Sequence, residues 1–170
     1  MIQKKICMVG VFGTGKTCLV QQYVHSIFAA RYLSTVGVKI DRKDVVSHGQ
    51  QVRMMLWDLE GRDGTRDVNQ SYVRGAHGII YVADGTRPET IDGMLEIRSL
   101  VESAVGAIPA VVALNKIDLT GEWKLSKDDE AAVGAKGLNV IRTSAKTGEG
   151  VEAAFQYLAD ATAGDGEAAE

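Results

Sequence analysis

The sequence predicts an α/β domain: a mostly parallel six-stranded sheet with one antiparallel edge hairpin and helices on both faces. Three observations carry this. Ile79 to Ala83 and Ala110 to Leu114 are continuous apolar runs, the pattern of strands covered on both sides. Strand-like and helix-like stretches alternate along the chain without internal repeats. His48-Gly49-Gln50 separates two period-two segments and so marks a hairpin.

Each element has its own signal. Ile6 to Val9 is a short apolar strand that runs into a glycine-rich loop. Leu19, Val20, Tyr23, Val24 and Ile27 then recur at helical spacing. Val36, Val38 and Ile40 alternate with Gly37, Lys39 and Asp41, and Val52-Met54-Leu56 pairs back across the turn. Between the apolar strands a helix begins near Glu89, with Met94, Ile97, Val101 and Ala104 on one face. Another opens at Ser126, carries Asp128, Asp129 and Glu130 in its first turn and stops at Gly137. Val140-Ile141 is the last strand, and Val151, Ala154, Phe155 and Leu158 stripe the final helix.

At 170 residues the chain forms one domain, able to bury roughly 70% of its unfolded surface. The expected limits are residues 1–163, followed by a flexible acidic tail at 164–170. A net charge of −3 argues against nucleic acid as the main partner. Cys7 and Cys18 are too few for a disulfide framework, and Cys7 lies in an apolar strand where a thiol acts as a small hydrophobe. No apolar run is long enough to span a bilayer, and no signal peptide is evident, so the expected compartment is a reducing cytoplasm.

Four motifs occur in a fixed order, and each directly follows an expected strand: residues 10–17 (GVFGTGKT), 57–61 (WDLEG), 115–118 (NKID) and 144–146 (SAK). Ligands of open α/β sheets sit beyond the carboxyl ends of strands, so all four should meet on one rim. The first fits the phosphate-loop pattern, which by itself says only that some nucleotide binds. Gly10, Gly13 and Gly15 bring backbone N–H groups of Phe12 to Cys18 toward phosphate oxygens, and the next helix adds its N-terminal dipole. Lys16 would reach the β- and γ-phosphates, and the Thr17 hydroxyl would ligate Mg²⁺. The Gly61 N–H would sense the γ-phosphate, with Asp58 steadying Mg²⁺ through water.

The third motif selects the base. A carboxylate at Asp118 can accept from both the ring N1–H and the 2-amino group of guanine, a donor pair adenine lacks. Lys116 would lay its stem on the base, Ser144 would support Asp118, and the Ala145 N–H would face the guanine carbonyl, beside Asn115 and Lys146. The expected ligands are therefore GTP or GDP with Mg²⁺.

With these residues the chain resembles a small GTPase of the Ras superfamily, most of all the Rab branch, over about residues 2–163. Residues 15–18 (GKTC), 34–38 (STVGV), Ser71-Tyr72 and 74–78 (RGAHG) carry the Rab character. The resemblance implies that Thr35 is the second protein ligand of Mg²⁺, that Phe28 packs on guanine and that Tyr32 folds over the nucleotide. It also implies that effectors and regulators read Val36, Val38, the apolar set Ile40, Trp57 and Tyr72, and the switch loops of a monomer. Trp57 should face away from Leu56.

Departures from the family pattern fall around the attacking water. Arg62 stands where hydrolysing members carry a water-orienting Gln, Glu60 stands where they carry Ala, and Phe12 replaces a small residue. Arginine accepts no proton from water, its pKa lying above about 12. The catalytic set is thus Lys16, Thr35, Gly61 and Arg62, with hydrolysis expected to be slow and partner-assisted. The alternative is a GTP/GDP-binding interaction module with little turnover. No cysteine lies beyond Cys18 and Ile2 follows Met1, so no direct lipid anchor is expected.

Overall fold

The computed structural model describes residues 1–29, 37–59 and 69–164. Strands β1 (Ile2–Val9), β2 (Val38–Ser47), β3 (Gln50–Leu59), β4 (Gly78–Asp84), β5 (Ala110–Asn115) and β6 (Asn139–Arg142) form one sheet in the order β2-β3-β1-β4-β5-β6. Every pair is parallel except β2 with β3, which are antiparallel at the edge. The expected fold class is what the chain adopts. The hairpin turns at His48 and Gly49, both in the left-handed region, as a two-residue turn matched to strand twist requires.

The strands divide their side chains between two cores by strict alternation. Ile6, Met8, Ile80, Val82, Val111 and Ala113 point to one face, where α1 (Lys16–His25) and α5 (Val151–Ala163) cover them. Cys7, Val9, Ile79, Tyr81, Val112 and Leu114 point to the other, beneath α3 (Glu89–Val105), with Val73 of the four-residue α2 (Gln70–Val73) and Val133 of α4 (Lys127–Gly134). Burial pushes the Cys7 thiol up to about 12, the behaviour of a core residue rather than a reactive one.

Several boundaries differ from the sequence reading. The first helix ends at His25, because Ser26 turns left-handed (φ 54°) and donates its N–H to the Gln22 carbonyl. Ile27 therefore lies beyond the helix, 52% exposed. The Ser126 cap is present as a reciprocal capping box with Asp129, but α4 proper ends at Gly134 and only turns continue to Gly137. α2 has no apolar period to announce it; its entry is fixed by the Asn69 side chain, which accepts from the Ser71 N–H. No helix among the described residues is long and apolar enough to cross a membrane.

The far half of the hairpin is bolted to the helices behind it. Ser47 donates to Asp160 at 2.6 Å, Gln156 donates to the Val46 carbonyl at 3.1 Å, and the Lys43 ammonium donates to the Tyr23 carbonyl at 2.7 Å. The bond from Ser47, and then one from the Gln156 amide to the same carboxylate, hold Asp160 below its usual range. Tyr23 and Phe155 join α1 to α5 by a parallel ring stack with centroids 4.0 Å apart. Phe155→Ala leaves a cavity at this junction and is expected to cost about 3–5 kcal/mol, read as a lowered urea midpoint with unchanged slope.

Candidate nucleotide-binding site

β1, β3, β5 and β6 all end on the same rim, and the four motif loops leave from those ends. The phosphate loop follows β1. Two of its glycines are fixed by close approach: a Cβ on Gly10 would stand 2.4 Å from the Val82 carbonyl oxygen, and one on Gly15 only 2.3 Å from Asn115 Nδ2. Gly15 is also left-handed at φ +100°, whereas Gly10 is absent from the positive-φ glycines, so packing rather than conformation demands it. Gly15 is the N-cap of α1 and no side chain caps that helix, an arrangement suited to anion binding.

Three successive carbonyls of the loop are held from outside. Arg87 Nη2 donates to Phe12 O at 2.8 Å, Lys116 Nζ to Gly13 O at 3.1 Å, and Asn115 Nδ2 to Thr14 O at 3.0 Å. Within the loop, the Thr14 hydroxyl donates to Val11 O, and the Lys16 ammonium to Gly10 O and Val11 O. Burial lowers the Lys16 pKa to about 8, against the pull of Asp58 and with the push of Arg87. Cys18 is half-buried in the first turn of α1, its thiol pushed up mainly by burial.

The two metal-ligand candidates in view are adjacent. The Thr17 hydroxyl donates to Asp58 Oδ2 at 2.5 Å, at the end of β3. Asp58 is 1% exposed, and its Oδ1 has no hydrogen-bond partner among the described residues. Burial raises its pKa, with Thr17 and Lys16 opposing. An orphaned, buried carboxylate oxygen beside a threonine hydroxyl fits a hard cation that keeps most of its coordination for water and phosphate. No group of three or more His, Cys, Asp or Glu that could hold a metal ion occurs among the described residues.

The base-side loops are tied into one unit. Asn115 Oδ1 accepts from the Thr143 hydroxyl at 3.1 Å and from the Ala145 N–H at 3.3 Å. That second bond directs the Ala145 N–H inward, where the sequence reading aimed it at a guanine oxygen. Ser144 donates to Asp118 Oδ1 at 2.7 Å, the support expected for that carboxylate. Lys116 adopts φ +74°, a left-handed conformation uncommon outside glycine, and Lys146 is exposed. Phe28 is 41% exposed and Phe12 equally so, so neither is a core aromatic.

Tyr32, Thr35, Val36, Glu60, Gly61 and Arg62 lie outside the described residues, as does the tail from 165. Of the partner set, Ile40 and Trp57 face each other across the hairpin, Ile40 46% exposed. Trp57 does lie opposite Leu56, but it is half-buried against the α3-side core with the Lys5 ammonium 3.6 Å over its ring. Val38 and Tyr72 pack on the same core, so this face is partly covered.

Asp84, Thr86 and Arg87 belong to the site and escaped the motif reading. Asp84 ends β4 at 1% exposure and accepts from Lys116 Nζ at 2.9 Å, Arg87 Nε at 3.3 Å and both the N–H and hydroxyl of Thr86. Burial would raise its pKa, but Thr86 and Lys116 hold it below the usual range. The signal that could have found it is positional: a carboxylate ending an apolar strand, the pattern that drew attention to Asp58.

The Ras family model matches residues 5–163. The chain is 33% identical over 160 residues to the Ras-related protein Rab-1 of Theileria parva, covering 92% of this chain and 73% of that one. It is 31% identical over 157 residues to human Ras-related protein Rab-8B, covering 91% and 76%. The Ras-related protein Rab-13 of Canis lupus familiaris is 29% identical over 157 residues, covering 91% and 77%.

The Asp118 geometry can be tested directly. Asp118→Asn replaces an acceptor pair by one donor and one acceptor, which suits xanthine rather than guanine. The variant is expected to bind GDP at least about tenfold more weakly and to gain affinity for xanthosine diphosphate, measured by competition with a fluorescent nucleotide.

Proposed function

Since the chain belongs to the Ras family and is accordingly a GTP-binding molecular switch with GTPase activity, we propose how its own residues divide that work. The observation that carries the proposal is the cross-bracing of the phosphate loop, at three consecutive carbonyls, by Arg87, Lys116 and Asn115. Turning those carbonyls outward leaves the loop's N–H groups for phosphate. The reading of the chain as a binding module with little turnover is not favoured by its kinship.

On this proposal Asp118, supported by Ser144, selects guanine, and the Lys116 stem and Phe28 flank the base. Lys16 exchanges its carbonyl partners Gly10 and Val11 for phosphate oxygens, which also restores the full charge that burial disfavours. Thr17, Asp58 and Thr35 would hold Mg²⁺, which when bound neutralises charge shared by the β- and γ-phosphates. Thr35 and Gly61 would sense the γ-phosphate, and loss of that phosphate would release both switch segments. Effectors and regulators would then read Ile40, Trp57 and Tyr72 with the neighbouring switch residues.

On this proposal intrinsic hydrolysis is slow because of three departures of the sequence from the family pattern. Arg62 offers no acceptor, Glu60 adds negative charge and Phe12 occupies space, so a partner or a remaining side chain must compensate.

Two measurements test this. A ligand that binds only native protein adds RT ln(1 + [L]/Kd), about 4 kcal/mol at a thousandfold excess over Kd. GDP with Mg²⁺ should therefore raise the melting temperature of nucleotide-free protein by several degrees while ATP leaves it unchanged; equal shifts would remove guanine specificity. In single-turnover assays, Arg62→Gln combined with Phe12→Gly should accelerate GTP hydrolysis by more than the two separate effects together, since a restored amide needs room for its water. A slowing by more than about tenfold in Arg62→Ala would instead place Arg62 in the transition state.

A further inference from the structure

Asn115 and Lys116 hold the loop carbonyls at 14 and 13, and they come from the base-reading segment. The carbonyl at 12 is held by Arg87, from the loop after β4, which has no part in reading the base. A small amide or hydroxyl would suffice to hold one carbonyl. An arginine brings a permanent charge and five donors in a planar fork. Here Nε is engaged by Asp84 at 3.3 Å and Nη2 by Phe12 O at 2.8 Å, so the guanidinium plane is oriented along the rim. Nη2 also lies 3.4 Å from where a Cβ on Gly13 would stand, which puts the charge directly against the phosphate loop. The side chain is 40% exposed, open to the same rim as Phe12 and Gly13.

GTP hydrolysis creates a demand at this place. The water oxygen bonds to the γ-phosphorus as the bond from that phosphorus to the β–γ bridging oxygen breaks. The electron pair leaves on that oxygen, which becomes part of GDP, and one water proton passes to the phosphate product or solvent. Negative charge grows on the bridging oxygen while the γ-oxygens share the rest, and an arginine there is worth roughly 10³–10⁵ in rate.

We propose that Arg87, poised on Phe12 O and Asp84 beside Gly13, is a catalytic arginine that this chain supplies to its own active site. Asp84 is its positioning residue. The same carboxylate oxygen accepts from Lys116 at 2.9 Å, so the cation at the phosphates and the lysine at the base share one anchor. The proposal rests on the reading of this rim as a GTP-hydrolysing site and adds to it the source of transition-state charge. It leaves the orientation of the attacking water untouched, so it is independent of Arg62.

The test uses the full chain without any partner protein, wild type against Arg87→Ala and Arg87→Lys. Single-turnover hydrolysis of preloaded GTP, dissociation of mant-GDP, thermal melting, and capture of aluminium fluoride by the GDP complex are measured. Arg87→Ala is expected to slow hydrolysis by about a hundredfold or more, a loss at least about tenfold larger than its loss of mant-GDP affinity, and to lose the aluminium fluoride complex that the wild type forms alone. Arg87→Lys should recover part of the rate, as a charge without the fork does. Hydrolysis by Arg87→Ala within about threefold of wild type, or a rate loss matched by an equal loss of mant-GDP affinity, would overturn the proposal and leave Arg87 a loop clamp. Wild-type protein that retains no mant-GDP would overturn the underlying nucleotide site, an outcome distinct from either.

Discussion

The Asn115 side chain is the constraint from which the rest of the site follows. Its amide nitrogen holds the phosphate loop at Thr14 O, and its oxygen accepts from Thr143 and from the Ala145 backbone. One buried amide thus joins the ends of β1 and β5 to the loop after β6, and both of its polar atoms are satisfied without water. The approach is so close that no side chain fits at Gly15. A buried network of this kind is either complete or costly, since each lost partner strands another in low dielectric. Replacing any one member would be felt at both the phosphate and the base ends.

Electrostatics explain why this rim is ready to receive an anion. Lys16, Asp58 and Asp84 are all buried, and burial acts against the charge of each. Asp84 is stabilised internally by Thr86, Lys116 and Arg87. Among the described residues Lys16 and Asp58 are not fully compensated: the ammonium settles for backbone carbonyls and Asp58 Oδ1 has no partner. The fold keeps two desolvated charges whose natural completions are a phosphate and a hard cation. Stability is traded here for affinity.

Much of this was legible in the sequence because the signals are local. Strand alternation, the hairpin turn and the Ser126 cap depend on near neighbours, and the motif loops had to converge once their strands were placed in a parallel sheet. What was not legible depended on contacts distant in sequence. Nothing in the residues around Arg87 says that its guanidinium reaches Phe12, 75 positions earlier. Gly10 is required sterically, because its neighbour is Val82 on another strand, which nothing near it in the sequence indicates. Nor does the sequence around Ala145 show that its N–H has an internal partner, Asn115, 30 residues away. Ile27 fitted the helical stripe, and only the left-handed turn at Ser26 puts it outside.

The edge strand β2 shows how one surface can be recognisable without being adhesive. It offers ten residues of backbone at the border of the sheet, the usual template for unwanted pairing between chains. Yet Lys39, Asp41, Arg42, Lys43 and Asp44 follow one another along it, so a neighbouring strand would have to strip water from charges at nearly every step. Ile40 stands among them, open to solvent and paired with Trp57. Colloidal restraint is built in along the strand, and the exposed apolar surface is concentrated at one point. On the partner surface proposed above, a partner would need complementary charge to approach before it met that apolar contact.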